Sequence, residues 1–122
     1  MKKEERPKVF STSDPLNRNV ILYADTLEKH IMERHYTTYD KSQVVDDIKS
    51  TVEKPEKIYY DKYIDIREVF VKESSHVSDF TFVVVEYKDD NTGIVATSYP
   101  VNKKKLGRQM RNAKKKYPKD EN

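Results

Sequence analysis

The chain has 122 residues, 35% of them apolar and 37% charged, enough for one modest core but not two. It contains no cysteine, which excludes disulfides, thiolate zinc sites and cysteine nucleophiles. The net charge is only +3, but residues 101–122 hold nine basic and two acidic residues, against 15 and 19 in residues 1–100. This basic tail favours a polyanion partner such as nucleic acid, although a solvated terminal helix explains it equally well.

Residues 1–18 are predicted to form a polar arm. The opening MKKEERPKVF lacks the apolar region of a secretory signal, and no run in the chain approaches the ~18 apolar residues of a membrane span. We therefore expect a cytoplasmic protein with no membrane partner, while delivery to another cell stays open. The short apolar run at residues 20–23 predicts a first strand.

A helix is predicted over residues 25–35, DTLEKHIMERH. Asp25 is expected to be its N-cap, with Glu28 three residues later as the capping-box partner. Leu27 and Ile31 are spaced by four and form an apolar stripe that should pack on the core.

The same helix carries two imidazoles and a guanidinium. His30 and Arg34 are spaced by four and should project from neighbouring turns of one face, and His35 closes the helix. This set suggests chemistry on an anion. The alternative is a solvated surface, in which Arg34 pairs with a glutamate and the helix dipole favours His35. A spacing of five between the histidines argues against a zinc site, so no metal is expected.

A second helix is predicted from a cap at Ser42 to about Glu53, and Pro55 should end it. Strand patterns then follow at residues 57–61, 63–72, 80–88 and 94–99, with a slip near Arg67 that could be a bulge. Between them, residues 74–79 around His76 are predicted to be a loop, and residues 89–93 a hairpin turn with Gly93 at positive φ.

Pro100 should limit further pairing, and residues 103–117 are predicted to form a basic helix. The expected fold is therefore α+β, with two N-terminal helices packed on a roughly four-stranded antiparallel sheet and a basic C-terminal helix. The expected domains are an arm at residues 1–18, a core domain at 19–101 and the helical tail at 102–122.

Three hydroxyl-bearing residues, Thr97, Ser98 and Tyr99, lie on the last strand, where hydroxyls facing the histidine helix could hold a phosphate. Alternation places Thr97 and Tyr99 on one face and Ser98 on the other. The alternative is that threonine and tyrosine are simply good strand formers.

Three short motifs follow one another along the chain: HIMERH at residues 30–35, EKPEKI at 53–58 and GIVATSYP at 93–100. Their order and spacing carry a family resemblance. Over about residues 20–101 the chain resembles the phage- and mobile-element-associated branch of the barnase–EndoU–colicin–RelE-like nucleases. The resemblance implies a metal-independent ribonuclease without cofactors. The family that the chain resembles includes toxins that cut RNA or tRNA. The resemblance leaves open whether a cognate inhibitor protein exists.

Carried over to this chain, the resemblance implies a catalytic set of His30, Arg34, His35 and Thr97. One imidazole would deprotonate the ribose 2′-hydroxyl and the other protonate the leaving oxygen, giving a 2′,3′-cyclic phosphate. We expect His30 as base and His35 as acid, although the sequence leaves the order open. The substrate-binding candidates are Ser98, Tyr99, Lys103, Lys104 and Lys105, and Tyr59, Tyr60 and Tyr63 could stack on bases.

Two other classes of function remain possible from the sequence. One is a non-catalytic binding module for nucleic acid or protein on the same fold, which would not need the histidines. The other is an inhibitor-like protein that acts through acidic faces such as residues 46–47 and 89–90.

Overall fold

The computed structural model describes residues 6–74 and 80–119, so residues 75–79 of the predicted loop around His76 lie outside the described residues. Seven strands form one sheet in these ranges: β1 (Lys8–Ser13), β2 (Asn19–Tyr23), β3 (Lys57–Tyr60), β4 (Arg67–Glu73), β5 (Phe80–Tyr87), β6 (Thr92–Val101) and β7 (Lys115–Tyr117). The helices are α1 (residues 24–35), α2 (Lys41–Glu53) and α3 (Lys103–Gln109). No helix in the described ranges has the length and apolar character of a membrane span.

The predicted fold, two N-terminal helices on a four-stranded antiparallel sheet, is wrong. The sheet has seven strands in the order β1-β2-β6-β5-β4-β3-β7 and is mixed, because β2 runs parallel to β6 while the other pairs are antiparallel. Two of the extra strands come from segments that were predicted to have other structures. Strand β1 lies in the predicted polar arm and β7 in the predicted basic helix.

The C-terminal helix is shorter than predicted because part of the basic run is used inside the fold. Helix α3 ends at Gln109, and Asn112 then takes a positive φ of 64°. The chain returns as β7, where Lys116 Nζ lies 2.8 Å from Glu68 Oε2 and 5.3 Å from the centre of the Tyr60 ring. The ion pair between Lys116 and a buried carboxylate therefore stabilises a strand in a segment whose basic composition predicts an exposed helix.

The sheet buries both of its faces. The α2 face carries the larger core, formed by Val20, Leu22, Ile58, Phe70, Val83, Val85 and Val95 with Leu27, Ile31, Val44, Ile48 and Val52 from the helices. The α3 face carries Val69, Val71, Phe82, Val84 and Val101, against which Leu106 and Met110 of α3 pack. The predicted apolar stripe of Leu27 and Ile31 is confirmed, since both side chains are buried.

Several predicted ends and turns need correction. Helix α1 begins after Tyr23 rather than at Asp25, whose carboxylate instead binds the Arg6 guanidinium at 2.7 Å. Asp40, two residues before Ser42, caps α2 through the amides of residues 42 and 43. Pro100 does not stop the ladder, because β6 continues to Val101, which pairs with Phe80.

Gly93 does not have the predicted positive φ. It is required for a different reason: a Cβ there would lie 2.6 Å from Tyr87 Cε1 and 2.7 Å from Val85 Cγ1. The hairpin turn is held instead by Asp89, whose Oδ1 accepts from the amides of Asn91 and Thr92 at 2.8 Å.

A buried ionic network ties the β1–β2 turn to the centre of the sheet. Arg18 donates to Asp14 Oδ2 at 2.8 Å and binds both carboxylate oxygens of Glu68, at 2.8 and 3.0 Å. The Tyr87 hydroxyl donates to Asp14 at 2.8 Å, and the Arg18 guanidinium lies 3.9 Å from the Tyr87 ring centre. Every charge in this network is therefore paired, as burial requires.

Candidate functional site

Helix α1 lies beside the edge of β6 because β2 leaves the sheet early. In the parallel pair, only residues 19–21 of β2 match residues 92–94 of β6. The chain then turns into α1, which packs along the following part of β6. There the Thr97 hydroxyl donates to the His30 carbonyl across 3.4 Å. This topology brings the first predicted motif next to the last one.

The winding of α1 changes which of its side chains face β6. Its middle part, Leu27–Met32, is a π-helix, in which the Glu33 amide bonds to the Glu28 carbonyl five residues earlier. Side chains four apart are therefore not aligned as they are in an α-helix. Arg34 and His35 face a groove beside β6, whereas His30 is exposed and does not line it.

A bulge in β6 directs the hydroxyls. Val85 pairs with Val95 but Val84 pairs with Thr97, so one extra residue is inserted at Ala96. Thr97 then lies on the α3 face, as Tyr99 does. Ser98 lies on the α2 face, fully buried, and donates to the Phe82 carbonyl at 2.7 Å. The predicted separation of these hydroxyls onto two faces is confirmed.

The groove has a volume of about 430 Å³ and receives side chains from α1, β6 and α3. It is lined by Arg34, His35, Thr97, Tyr99, Pro100, Val101, Lys105 and Gln109. The His35 and Tyr99 rings lie 5.5 Å apart, and Phe82 contacts Tyr99 at the same ring distance. We call this space the His35 groove.

The electrostatics of the His35 groove suit an anion. Partial burial, and then the charge of Arg34, lower the pKa of His35 below its usual 6.5. Burial, and then the carboxylate of Asp61, raise the pKa of Tyr99. Near neutral pH the groove therefore holds a neutral imidazole, a protonated phenol and the cations of Arg34 and Lys105. It can accept a proton and bind a negatively charged group.

The structure brings together five of the predicted site residues: Arg34, His35, Thr97, Tyr99 and Lys105. Four others lie elsewhere. Ser98 is buried on the α2 face of the sheet, away from the groove. Lys103 and Lys104 are exposed on the first turn of α3. His30 contacts Thr97 through its backbone carbonyl.

Sequence reasoning missed Gln109, which also lines the groove. Its spacing of four from Lys105 on a helix was the available signal, since residues so spaced lie on one side. Among the described residues, no group of three or more His, Cys, Asp or Glu side chains could hold a metal ion.

Comparison with known protein families gives a match that covers most of the chain. A family model described as phage-Barnase-EndoU-ColicinE5/D-RelE like nuclease3 matches residues 10–108, which include α1, β6 and most of α3. No curated protein and no solved structure matches the chain.

Proposed function

Because the chain belongs to this family of phage-Barnase-EndoU-ColicinE5/D-RelE like nucleases, we propose that it is a metal-independent endoribonuclease whose site is the His35 groove. Family membership makes it a nuclease with a nucleic-acid substrate. The proposal adds that the nucleic acid is RNA, tRNA included, and that the attacking group is the ribose 2′-hydroxyl. The proposal also allows for a cognate inhibitor protein, which would act by covering the groove.

Phosphate binding is assigned to three groups of the groove. Arg34 presents a guanidinium that can hold two phosphate oxygens through parallel hydrogen bonds. Lys105 adds a second cation from α3, and the Thr97 hydroxyl can orient a non-bridging oxygen. Because these groups stabilise the charge that grows on the phosphate oxygens, the protein itself can supply the electrostatic part of catalysis.

His35 is assigned as the general base, the reverse of the order expected from the sequence. Its lowered pKa keeps the imidazole neutral near pH 7, which is the form that accepts a proton. As His35 takes the proton of the 2′-hydroxyl, the 2′-oxygen forms a bond to phosphorus. The P–O5′ bond breaks and its electron pair stays on the 5′-oxygen.

The leaving 5′-oxygen needs a proton, which we assign to His30 as imidazolium. The His30 carbonyl accepts from the Thr97 hydroxyl, so the His30 backbone lies beside a residue of the groove, although the imidazole is exposed and does not line it. The products are a 2′,3′-cyclic phosphate and a 5′-hydroxyl end. The observation that carries the proposal is the presence of a neutral imidazole, a guanidinium and a strand hydroxyl in one groove.

The test is cleavage of a ribo-oligonucleotide by the purified protein in excess EDTA. The wild type should give cyclic-phosphate ends, and His35→Ala should lower the rate by roughly 10²–10⁴-fold. His30→Ala should be impaired as well. Lys29→Ala is the control, because Lys29 is exposed on the same helix, does not line the groove and has no role in the proposed reaction.

Two outcomes would contradict the proposal. Equal rates for the wild type and His35→Ala would remove the site from the groove. If neither protein cleaves RNA in EDTA but both bind it equally well, the chain is a binding module under these conditions, and the metal-independent reaction is wrong.

A further inference from the structure

Two more depressions extend the His35 groove along the α3 face. The second, of about 300 Å³, shares Tyr99 and Gln109 with the groove, and its remaining walls are Tyr60, Asp61, Lys62, Tyr63, Val69, Phe82, Met110 and Ala113. The third, of about 440 Å³, shares Tyr60, Asp61 and Lys62 with the second and adds Asp65, Asn112 and Lys114. The three depressions therefore share walls and follow one another from His35 to the β3–β4 loop, and we call this row the channel.

We propose that the second depression, named here the Tyr63 subsite, binds one unpaired nucleobase beside the phosphate that is cut. This inference rests on the proposed function, because it identifies the substrate as single-stranded RNA. A base can enter a pocket of this kind only when it is unstacked and unpaired. The volume is at the lower end of the range of small-molecule pockets, about 300–1,000 Å³.

Aromatic side chains supply the stacking surfaces of the subsite. The Tyr63 side chain is 90% exposed and Tyr60 is 45% exposed, although both line the depression. Tyr99 forms the boundary with the His35 groove and packs on Phe82 at its base. Exposed tyrosines at the rim of an apolar depression have the arrangement that single-stranded nucleic-acid binding proteins use to stack bases.

Asp61 supplies a polar contact that can distinguish one base from another. Its Oδ2 accepts from the amides of Tyr63 at 3.0 Å and Ile64 at 2.8 Å, which fixes the carboxylate at the wall of the subsite. Because Oδ2 carries both bonds, Oδ1 can accept from a ligand. Its partner would be the exocyclic amino group of adenine, cytosine or guanine, which uracil lacks.

The charges along the channel are consistent with a strand that passes through the subsite. Lys105 lies at the His35 end and Lys114 at the far end, where each can contact a phosphate. The carboxylate of Asp61 lies between these two cations and would repel a phosphate. Lys62 lines the same stretch, but its ammonium donates to the Arg111 carbonyl at 2.7 Å. The carboxylate of Asp61 therefore favours a base, rather than the backbone, at that point.

The experiment measures binding alone, so that it does not depend on cleavage. Five-nucleotide 2′-deoxy strands lack the attacking hydroxyl, and each carries one central base, dA, dC, dG or dU, between abasic positions. A fully abasic strand is the reference, and fluorescence anisotropy gives the dissociation constants. We expect amino-bearing bases to bind about tenfold more tightly than the abasic strand, with dU weaker.

Two variants with matched controls test the subsite. Tyr63→Ala should abolish the difference between base and abasic strands, whereas Tyr39→Ala should not, because Tyr39 is exposed outside the channel. Asp61→Asn keeps an oxygen for the two amides and turns the other atom into a donor, so binding should shift toward dU. Asp65→Asn makes the same charge change outside the Tyr63 subsite and should leave the base preference unaltered.

The inference is overturned if wild-type binding is equal for base and abasic strands, or if Tyr63→Ala matches Tyr39→Ala. It is also overturned if Asp61→Asn and Asp65→Asn have the same base preference. Its failure is distinct from failure of the proposed function. His35-dependent RNA cleavage without any base effect removes only the subsite, while base-dependent binding without cleavage removes only the ribonuclease proposal.

Discussion

The imidazole of His35 and the phenol ring of Tyr99 lie 5.5 Å apart, with their planes tilted by 46°. One ring comes from the end of α1 and the other from the second half of β6. Phe82 contacts the Tyr99 ring in turn, so His35 joins a row of rings that extends from the apolar layer on the α3 face. The contact places a titratable group at the border between this layer and the solvent.

This contact predicts the titration of His35. Burial and the neighbouring Arg34 both disfavour the imidazolium, so NMR titration of the folded protein should give a pKa below 6.5. Tyr99→Ala would expose the His35 imidazole to water and should raise its pKa toward 6.5, while Tyr39→Ala should not change it. An unchanged pKa in Tyr99→Ala would show that the ring contact does not control it.

The same shift predicts how stability depends on pH. Since the pKa of His35 is lower in the folded than in the unfolded state, the folded state favours the neutral form. This contribution is present above about pH 6.5, the unfolded value, and is lost as the pH falls through the folded pKa. In urea unfolding, His35→Ala should therefore lose less stability than the wild type as the pH falls over this window.

The two faces of β6 predict different effects for neighbouring hydroxyls. Ser98→Ala removes the donor to the buried Phe82 carbonyl and should lower the free energy of unfolding by about 1 kcal/mol. At a temperature where it is folded, its rate of RNA cleavage should be that of the wild type. Thr97→Val should slow cleavage with little change in stability. The reverse pattern would mean that Ser98, not Thr97, serves the reaction.

Prediction from the sequence was most accurate where the local preference for helix or strand agrees with the pattern of burial in the fold. Helix α2 was predictable because Val44, Ile48 and Val52 recur at a helical spacing and all three are buried. Strand β5 was predictable from its long apolar run. The separation of Thr97 from Ser98 followed from alternation alone, because the bulge lies before both residues.

The remaining features depend on contacts between distant segments. Strand β7 pairs with β3, and Lys116 binds Glu68. Nothing in the local run of lysines indicates either partner. The position of His30 depends on the π-helical winding of Leu27–Met32, which a spacing of four cannot reveal. The Asp14–Arg18–Glu68 network likewise joins residues that only the folded sheet brings together.

The two glycines should respond in opposite ways to alanine. At Gly93 the added methyl group would meet the Tyr87 ring at 2.6 Å, so Gly93→Ala should destabilise the protein by about 1–3 kcal/mol. At Gly107, on α3, the new Cβ has no atom within 4 Å other than those of its chain neighbours and of the helix backbone. Gly107→Ala should stabilise by up to ~1 kcal/mol because alanine favours the helix. Urea unfolding of both variants tests the assignment, and equal effects would contradict it.

The largest loss of stability is predicted at Arg18. Its side chain is 10% exposed and holds the carboxylates of Asp14 and Glu68, whose side chains are 0% and 9% exposed. Arg18→Ala would leave both buried charges without this partner and should cost about 3–5 kcal/mol in the free energy of unfolding. The control is Arg67→Ala, which removes a pair with Glu86 that is about one-third exposed and should cost about 1 kcal/mol or less. Similar losses for the two variants would show that solvent screens the Arg18 network as well. A much larger loss at Arg18 would establish that this network, which lies outside the His35 groove, holds the β1–β2 turn on the sheet.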